Sequence, residues 1–112
     1  MKIALTSQNF RTITGHAGKA RRFMIFTADK TGKPVETDRL DLPKEMSMHE
    51  FRGDSHPIKS VDILITGGCG QGFMRRLAQW GIQVILTSET DPVKAVAAVL
   101  SGKELPPPLP HD

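Results

Sequence analysis

The stretch Val61 to Trp80, VDILITGGCGQGFMRRLAQW, leaves a chain few choices. Val61 to Thr66 is a β-branched, apolar run and predicts a strand buried on both faces. Gly67-Gly68-Cys69-Gly70 follows as a turn, and Cys69 is the only cysteine in the protein. Phe73, Leu77 and Trp80 then recur at helical spacing, with Arg75, Arg76 and Gln79 expected to face outward. Gly81 is placed to end the helix. A strand, a glycine turn and a helix make half of a parallel α/β unit. Such units hold their ligands at the carboxyl ends of the strands.

The rest of the chain supplies the remaining layers. Lys2 to Thr6 is a short apolar run and predicts a first strand. Ser7 to Lys19 is polar, contains Gly15, His16 and Gly18, and is long for a connection; long loops in small domains often carry function. Arg21 to Ala28 predicts an interior strand. Asp29 to Gly32 is a turn, and Lys33 to Leu42 is charged enough for an edge strand paired with it in a hairpin. Pro43 to Ser60 lacks periodicity and reads as a crossover, with a helical turn near His56 to Ser60. Ile82 to Leu86 is a last strand. Asp91 and Pro92 open a helix as N-cap and first residue, with Val93, Val96, Ala97 and Leu100 expected inward and Gly102 closing it. Residues 1–103 are thus expected to form one domain, followed by a flexible, untethered proline-rich tail over 104–112.

This order predicts an α/β domain with a five-stranded mixed β-sheet and flanking helices. Right-handed crossovers make the first and fourth strands parallel neighbours. The loop with His16 and the turn with Cys69 then open at one sheet edge. The hairpin returns near Leu42, so His49 is expected close by and His56 nearer the opposite edge.

Bulk properties narrow the function. A chain of 112 residues can bury one ordinary core. It has no apolar run of about 18 residues to span a membrane, and its N-terminal apolar segment is too short for a signal peptide. A lone thiol excludes an internal disulfide and points to a reducing compartment, the cytoplasm. A net charge of +3, with five Phe, one Trp and no Tyr, argues against a nucleic-acid binder. Lys19, Arg21 and Arg22 after His16, and Arg75 and Arg76 after the glycine turn, are either solvated charge or two basic rims around an anionic ligand.

Several chemistries compete for these residues. Cys and His are ligands of zinc, iron and iron–sulfur species, but there is no CxxC or HxxxH pair. An incomplete ligand set suits a carrier that takes and releases a preassembled cofactor; the plain alternative is that Cys69 only packs. A nucleotide fingerprint fails, since no GK[ST] follows the turn and the third glycine of GxGxxG is replaced by Phe73. Two-metal hydrolysis lacks its carboxylates: Lys2 to Thr6 has none, and Asp62 is at the wrong end of its strand. A thiol enzyme pairing Cys69 with His16 lacks an orienting third group, although a helix N-terminus is expected to lower the Cys69 thiol pKa. Met46, Met48 and His49 are either soft copper ligands or part of a flexible loop.

Two segments carry a resemblance. Lys2 to Thr6 followed by Gly15-His16-Ala17-Gly18-Lys19-Ala20 and Phe23 resembles the strand and HFGRA…F loop of the dinitrogenase iron–molybdenum cofactor biosynthesis family. That family includes NifX-type carriers, the C-terminal domain of NifB-type proteins and NafY-type domains. Ile63 to Gly70 with Leu77 to Ile82 resembles its GGIGxxAxxxLxxxGI segment. Ala17 and Cys69 depart from it, at positions where an aromatic and an aliphatic residue are common. The resemblance implies a ribonuclease-H-like fold and a non-enzymatic carrier of an iron–sulfur cluster or an iron–molybdenum cofactor precursor. It implies His16 as a ligand, with His49 where relatives often carry His or Cys. Cys69 joins them by its own chemistry and expected position, with Arg21, Arg22, Gly68 and Gly70 around the cofactor. The implied partners are metallocluster assembly proteins that donate and accept it, the protein itself being a monomer or weak homo-oligomer. A metal-free interaction or regulatory module, or an anion- or nucleotide-binding domain using the Gly67–Gly72 turn, are the competing readings.

Overall fold

Alternation of apolar residues along three neighbouring strands divides the core into two layers. This is seen in a computed structural model that describes residues 1–53 and 55–109. Asp54, in the expected crossover, and residues 110–112, the end of the expected tail, lie outside the described residues. The strands are β1 (Ile3–Thr6), β2 (Arg22–Ala28), β3 (Pro34–Asp41), β4 (Ile63–Thr66) and β5 (Gln83–Leu86). The helices are α1 (Gln71–Gln79) and α2 (Pro92–Leu100), with 3-10 turns at Lys44–Met46 and Pro57–Ser60.

The sheet order is β3-β2-β1-β4-β5. β1 runs antiparallel to β2 and parallel to β4, and β4 runs parallel to β5. The expected mixed sheet and the β1–β4 adjacency are both present. Ala4, Phe23, Ile25 and Leu64 face Phe73 and Leu77 of α1. Ile3, Leu5, Met24, Phe26, Ile63 and Ile65 face Ala95 and Val96 of α2 on the other side. A one-residue slip would exchange these sets, and each fully buried Leu or Ile contributes about 1.5–3 kcal/mol. The register is therefore held by both layers at once. It pairs Ile3 with Ile63 and Leu5 with Ile65, which brings the carboxyl ends of β1 and β4 side by side.

The helix ends follow local chemistry. Gly81 has φ +77°, which a side chain would strain, and lets its own N–H reach the Ala78 carbonyl while Ile82 N–H reaches Leu77. Asp91 Oδ1 caps α2 by accepting from Lys94 N–H at 3.1 Å. The inward face of α2 keeps the expected Val96 and Leu100 but differs from expectation at its start. Pro92, Ala95 and Val96 are buried, while Val93 is 54% exposed. The same i, i+3, i+4 pattern fits both sets, and packing against β1 and β4 selects the one that begins at the proline.

The start of the tail is tethered, contrary to expectation. Leu105 packs on the α2 side of the core. Thr87 Oγ1 donates to the Pro106 carbonyl at 2.7 Å, and Ser88 N–H to the Pro107 carbonyl at 3.2 Å. Among the described residues, no helix is long and apolar enough to cross a membrane.

His56 fixes the crossover. Its Nδ1 accepts from Ile58 N–H at 3.2 Å, capping the 3-10 turn, so Nε2 carries the proton and donates to the Met46 carbonyl at 2.6 Å. The ring lies edge-on to Phe51 and stacks on Trp80. Burial lowers its pKa, the Met46 carbonyl partly offsets this, and Arg76 adds to the lowering. The folded chain therefore refuses a proton that the unfolded chain accepts. This contribution to stability is complete above pH about 6.5 and is lost as the pH falls below it. Urea midpoints measured between neutral and mildly acidic pH should fall for the wild type. His56→Gln should start about 1–3 kcal/mol lower and lose that part of the pH dependence; identical pH profiles would remove His56 as its source.

Candidate functional site

Threonines end both central strands. Thr6 and Thr66 are fully buried, with hydroxyl oxygens 2.8 Å apart. Both hydroxyls reach the Thr14 carbonyl, at 2.6 and 3.2 Å, and Gly67 N–H donates to the same oxygen at 3.1 Å. Thr14 N–H returns to the Thr6 carbonyl at 2.9 Å. The loop after β1 is thus bound to the ends of β1 and β4 together. Its backbone runs so close to the glycine turn that a Cβ on Gly67 would stand 3.4 Å from the Gly15 nitrogen. Ala17 N–H donates to the Gly68 carbonyl at 3.0 Å, and His49 N–H to the Gly18 carbonyl at 2.6 Å. Three segments distant in sequence are joined here through backbone groups.

The result is an open cavity of about 780 Å³ lined by His16, His49 and Cys69, with Gly15, Gly18, Gly67, Gly68, Gly70 and Gly72. Met48 and Phe73 give it an apolar side, and Lys19 and Arg76 a basic one. Met48 is buried in the core rather than free in a flexible loop. His16 is exposed and sits at φ +54°, a left-handed conformation uncommon for a residue with a side chain. His49 is also exposed. Among the described residues, no group of three or more His, Cys, Asp or Glu is placed to hold a single metal ion.

Cys69 differs from expectation. The thiol is half-buried against the α1 side of the core, and burial pushes its pKa up. The cause is desolvation of the thiolate. The N-terminus of α1 is bare: Gly70 is the N-cap, offers no side-chain oxygen, and no acidic residue follows in the first turn. Its orphan N–H groups leave positive potential beside the cavity.

The arginines divide. Arg21 and Arg22 do not line this cavity but a smaller one that adjoins it through His16 and Lys19. Arg22 is engaged there with Asp41 at 3.3 Å and the Gln8 carbonyl at 2.8 Å. Arg75 is exposed, as expected, and lines neither cavity. Arg76, expected outward as well, is turned in. It donates to the Met48 carbonyl at 3.1 Å and the Gly53 carbonyl at 3.4 Å, with its guanidinium over Phe51 and Trp80. It thereby ties the segment carrying His49 to α1. His56, at the Trp80 end of α1, does not line the cavity. Thr6, Thr14 and Thr66 were not singled out from sequence. Their signal is a hydroxyl closing each of two otherwise buried runs, IALT and ILIT.

If Arg76 holds this segment, Arg76→Gln should speed amide hydrogen exchange over residues 47–53 by about tenfold or more, as expected for losing a charged hydrogen bond. Exchange in β1 and β4 should be unchanged. Equal exchange over 47–53 in both proteins would show that the segment is held without it.

Comparison with known proteins places the chain. No curated protein matches it in sequence. Among solved structures, the protein PH0822 superposes with a TM-score of 0.70 at 19% identity, covering 92% of this chain and 93% of that one. The provisionally named dinitrogenase of Methanocaldococcus jannaschii gives 0.66 at 13% identity, with 92% and 90% covered. A provisionally named NifB protein from Thermotoga gives 0.58 at 15%, with 91% and 89% covered. These likenesses establish the fold, the expected ribonuclease-H-like α/β domain. The model of the family described as dinitrogenase iron-molybdenum cofactor matches residues 1–102, and the chain belongs to that family.

Proposed function

We propose that the protein is a non-enzymatic carrier of an iron–sulfur cluster or an iron–molybdenum-type cofactor precursor, acting in metallocluster assembly. The observation that carries this reading is the convergence of His16, His49 and Cys69 on one open cavity of about 780 Å³. Imidazole and thiolate are ligands for iron and for iron–sulfur species. The donors are too dispersed for a single ion, as noted above. A preassembled cluster is larger, and separated donors can grip different metal atoms of it. Lys19, Arg76 and the bare N-terminus of α1 offer positive charge to an anionic cargo. Among the described residues no carboxylate lines the cavity, which leaves little for acid–base or two-metal hydrolysis. An open, under-liganded site favours transfer over retention. The partners are then assembly proteins that donate and accept the cluster, in a reducing compartment such as the cytoplasm.

The bare helix end favours a second reading, an oxyanion or nucleotide phosphate held by the Gly67–Gly72 turn without metal. Anaerobic reconstitution with iron and sulfide, followed by gel filtration and visible absorption, separates the two. The carrier reading expects protein-bound absorption. His16→Gly should keep the fold, because glycine tolerates the positive φ, and should shed cluster faster. Cys69→Ser should do the same. Absence of any bound chromophore, with phosphate protecting the turn instead, would replace the carrier by the second reading.

The raised Cys69 thiol adds a pH dependence. Only the thiolate binds metal, so loading must release its proton. Cluster retention by the wild type should therefore rise with pH from mildly acidic to mildly alkaline solution. Cys69→Ser should show a flatter profile; matching slopes would exclude the thiolate as a ligand.

A further inference from the structure

We infer that the smaller pocket behind His16 binds a small, multiply charged oxyanion of the phosphate or polycarboxylate class. The pocket has a volume of about 300 Å³, and Gln8, Thr14, His16, Lys19, Arg21 and Arg22 contribute to its wall. Three permanent cations line it, of which Arg22 is partly offset by Asp41, and among the described residues no carboxylate lines it. Cations gathered around so small a volume repel one another, and a bound anion relieves that repulsion.

Arg22 is set in place before any ligand arrives. Its Nε donates to Asp41 at 3.3 Å and its Nη1 to the Gln8 carbonyl at 2.8 Å, while the guanidinium lies 5.6 Å from the centre of the Phe10 ring. The Asp41 pair is solvent-exposed and correspondingly weak, so an anion has no buried ion pair to break. Nη2 makes no hydrogen bond among the described residues and remains as a donor. Lys19 and Arg21 have no ion pair among the described residues. A guanidinium fork matches the oxygens of phosphate and carboxylate in a way that a chloride ion cannot exploit. The volume lies at the small end of ligand cavities, which favours a compact anion over a nucleotide. His16 and Lys19 line both this pocket and the larger cavity, so the anion draws on charge that also serves the larger one.

The inference stands on this pocket alone and does not need the carrier reading. Its test therefore uses the full chain without metal. Amide NMR spectra are recorded during separate titrations with inorganic phosphate and malonate, at ionic strength held constant with sodium chloride. Saturable shifts are expected at Gln8, Thr14 and Ala20. Saturation by phosphate alone, by malonate alone, or by both assigns the ligand as phosphate-type, carboxylate-type, or selected by charge. Arg21→Gln should weaken binding by about tenfold, the loss expected for one charged hydrogen bond. Lys30→Gln removes the same charge from the hairpin tip, at the opposite end of β2 from Arg22, and should leave binding unchanged. Shifts that rise linearly without saturating would overturn the inference. So would equal affinity in Arg21→Gln and wild type, or an equal loss in Lys30→Gln.

Discussion

A single carbonyl oxygen, that of Thr14, organises one end of this molecule. It accepts from the Gly67 amide and lies within reach of both threonine hydroxyls, at 3.1, 2.6 and 3.2 Å. The reason for such crowding is desolvation. Thr6 and Thr66 close strands that are buried on both faces, and an unpartnered hydroxyl there would cost about 1–3 kcal/mol. Binding the loop satisfies both hydroxyls at once. The loop is thus fixed by the needs of the core, and His16 and Ala17 are fixed with it. Ile13 and Ala17, both buried, anchor the same loop in the two core layers.

The same economy extends outward. Ala17 holds the glycine turn, and Gly18 holds the segment of His49, each through one backbone hydrogen bond. Arg76 and His56 then secure that segment from behind through carbonyl acceptors. The candidate ligands that line the cavity, His16, His49 and Cys69, are consequently spared from building it with their side chains, a task left to Arg76, Met48 and Phe73. His16 and His49 stay exposed, and Cys69 is only half-buried. Such a division suits a site that must keep its donors free while its walls stay in place.

Much of this was legible in the sequence because it depends on order and pattern. The runs IALT and ILIT, separated by a hairpin and a crossover, dictate parallel neighbours, and that adjacency alone brings His16 to the side of Cys69. What pattern could not give was phase and environment. The stripes beginning at Pro92 and at Val93 fit one periodicity, and only packing on the sheet distinguishes them. Arg75 and Arg76 are alike in sequence, yet one helical step separates open solvent from the aromatic faces of Phe51 and Trp80. The Cys69 thiol illustrates the third limit. Its position at a helix start is written in the sequence, whereas the core that desolvates it is assembled from distant strands. The tethered proline segment likewise depends on Thr87 and Ser88 meeting carbonyls far along the chain.

That proline segment has a consequence for how the molecule behaves among its own copies. A five-stranded open sheet presents two edges, and an exposed edge invites another chain to add a strand and aggregate. The β3 edge is studded with Glu36, Asp38, Arg39 and Asp41, which discourages such pairing. Beyond β5, Pro106 and Pro107 occupy hydrogen-bonding groups of Thr87 and Ser88 with residues that have no N–H to offer in return. A ladder that reaches them stops there. Both flanks thus carry features that oppose strand addition, charge along β3 and prolines just past the end of β5, while the ends of β1 and β4 between them stay open to a ligand.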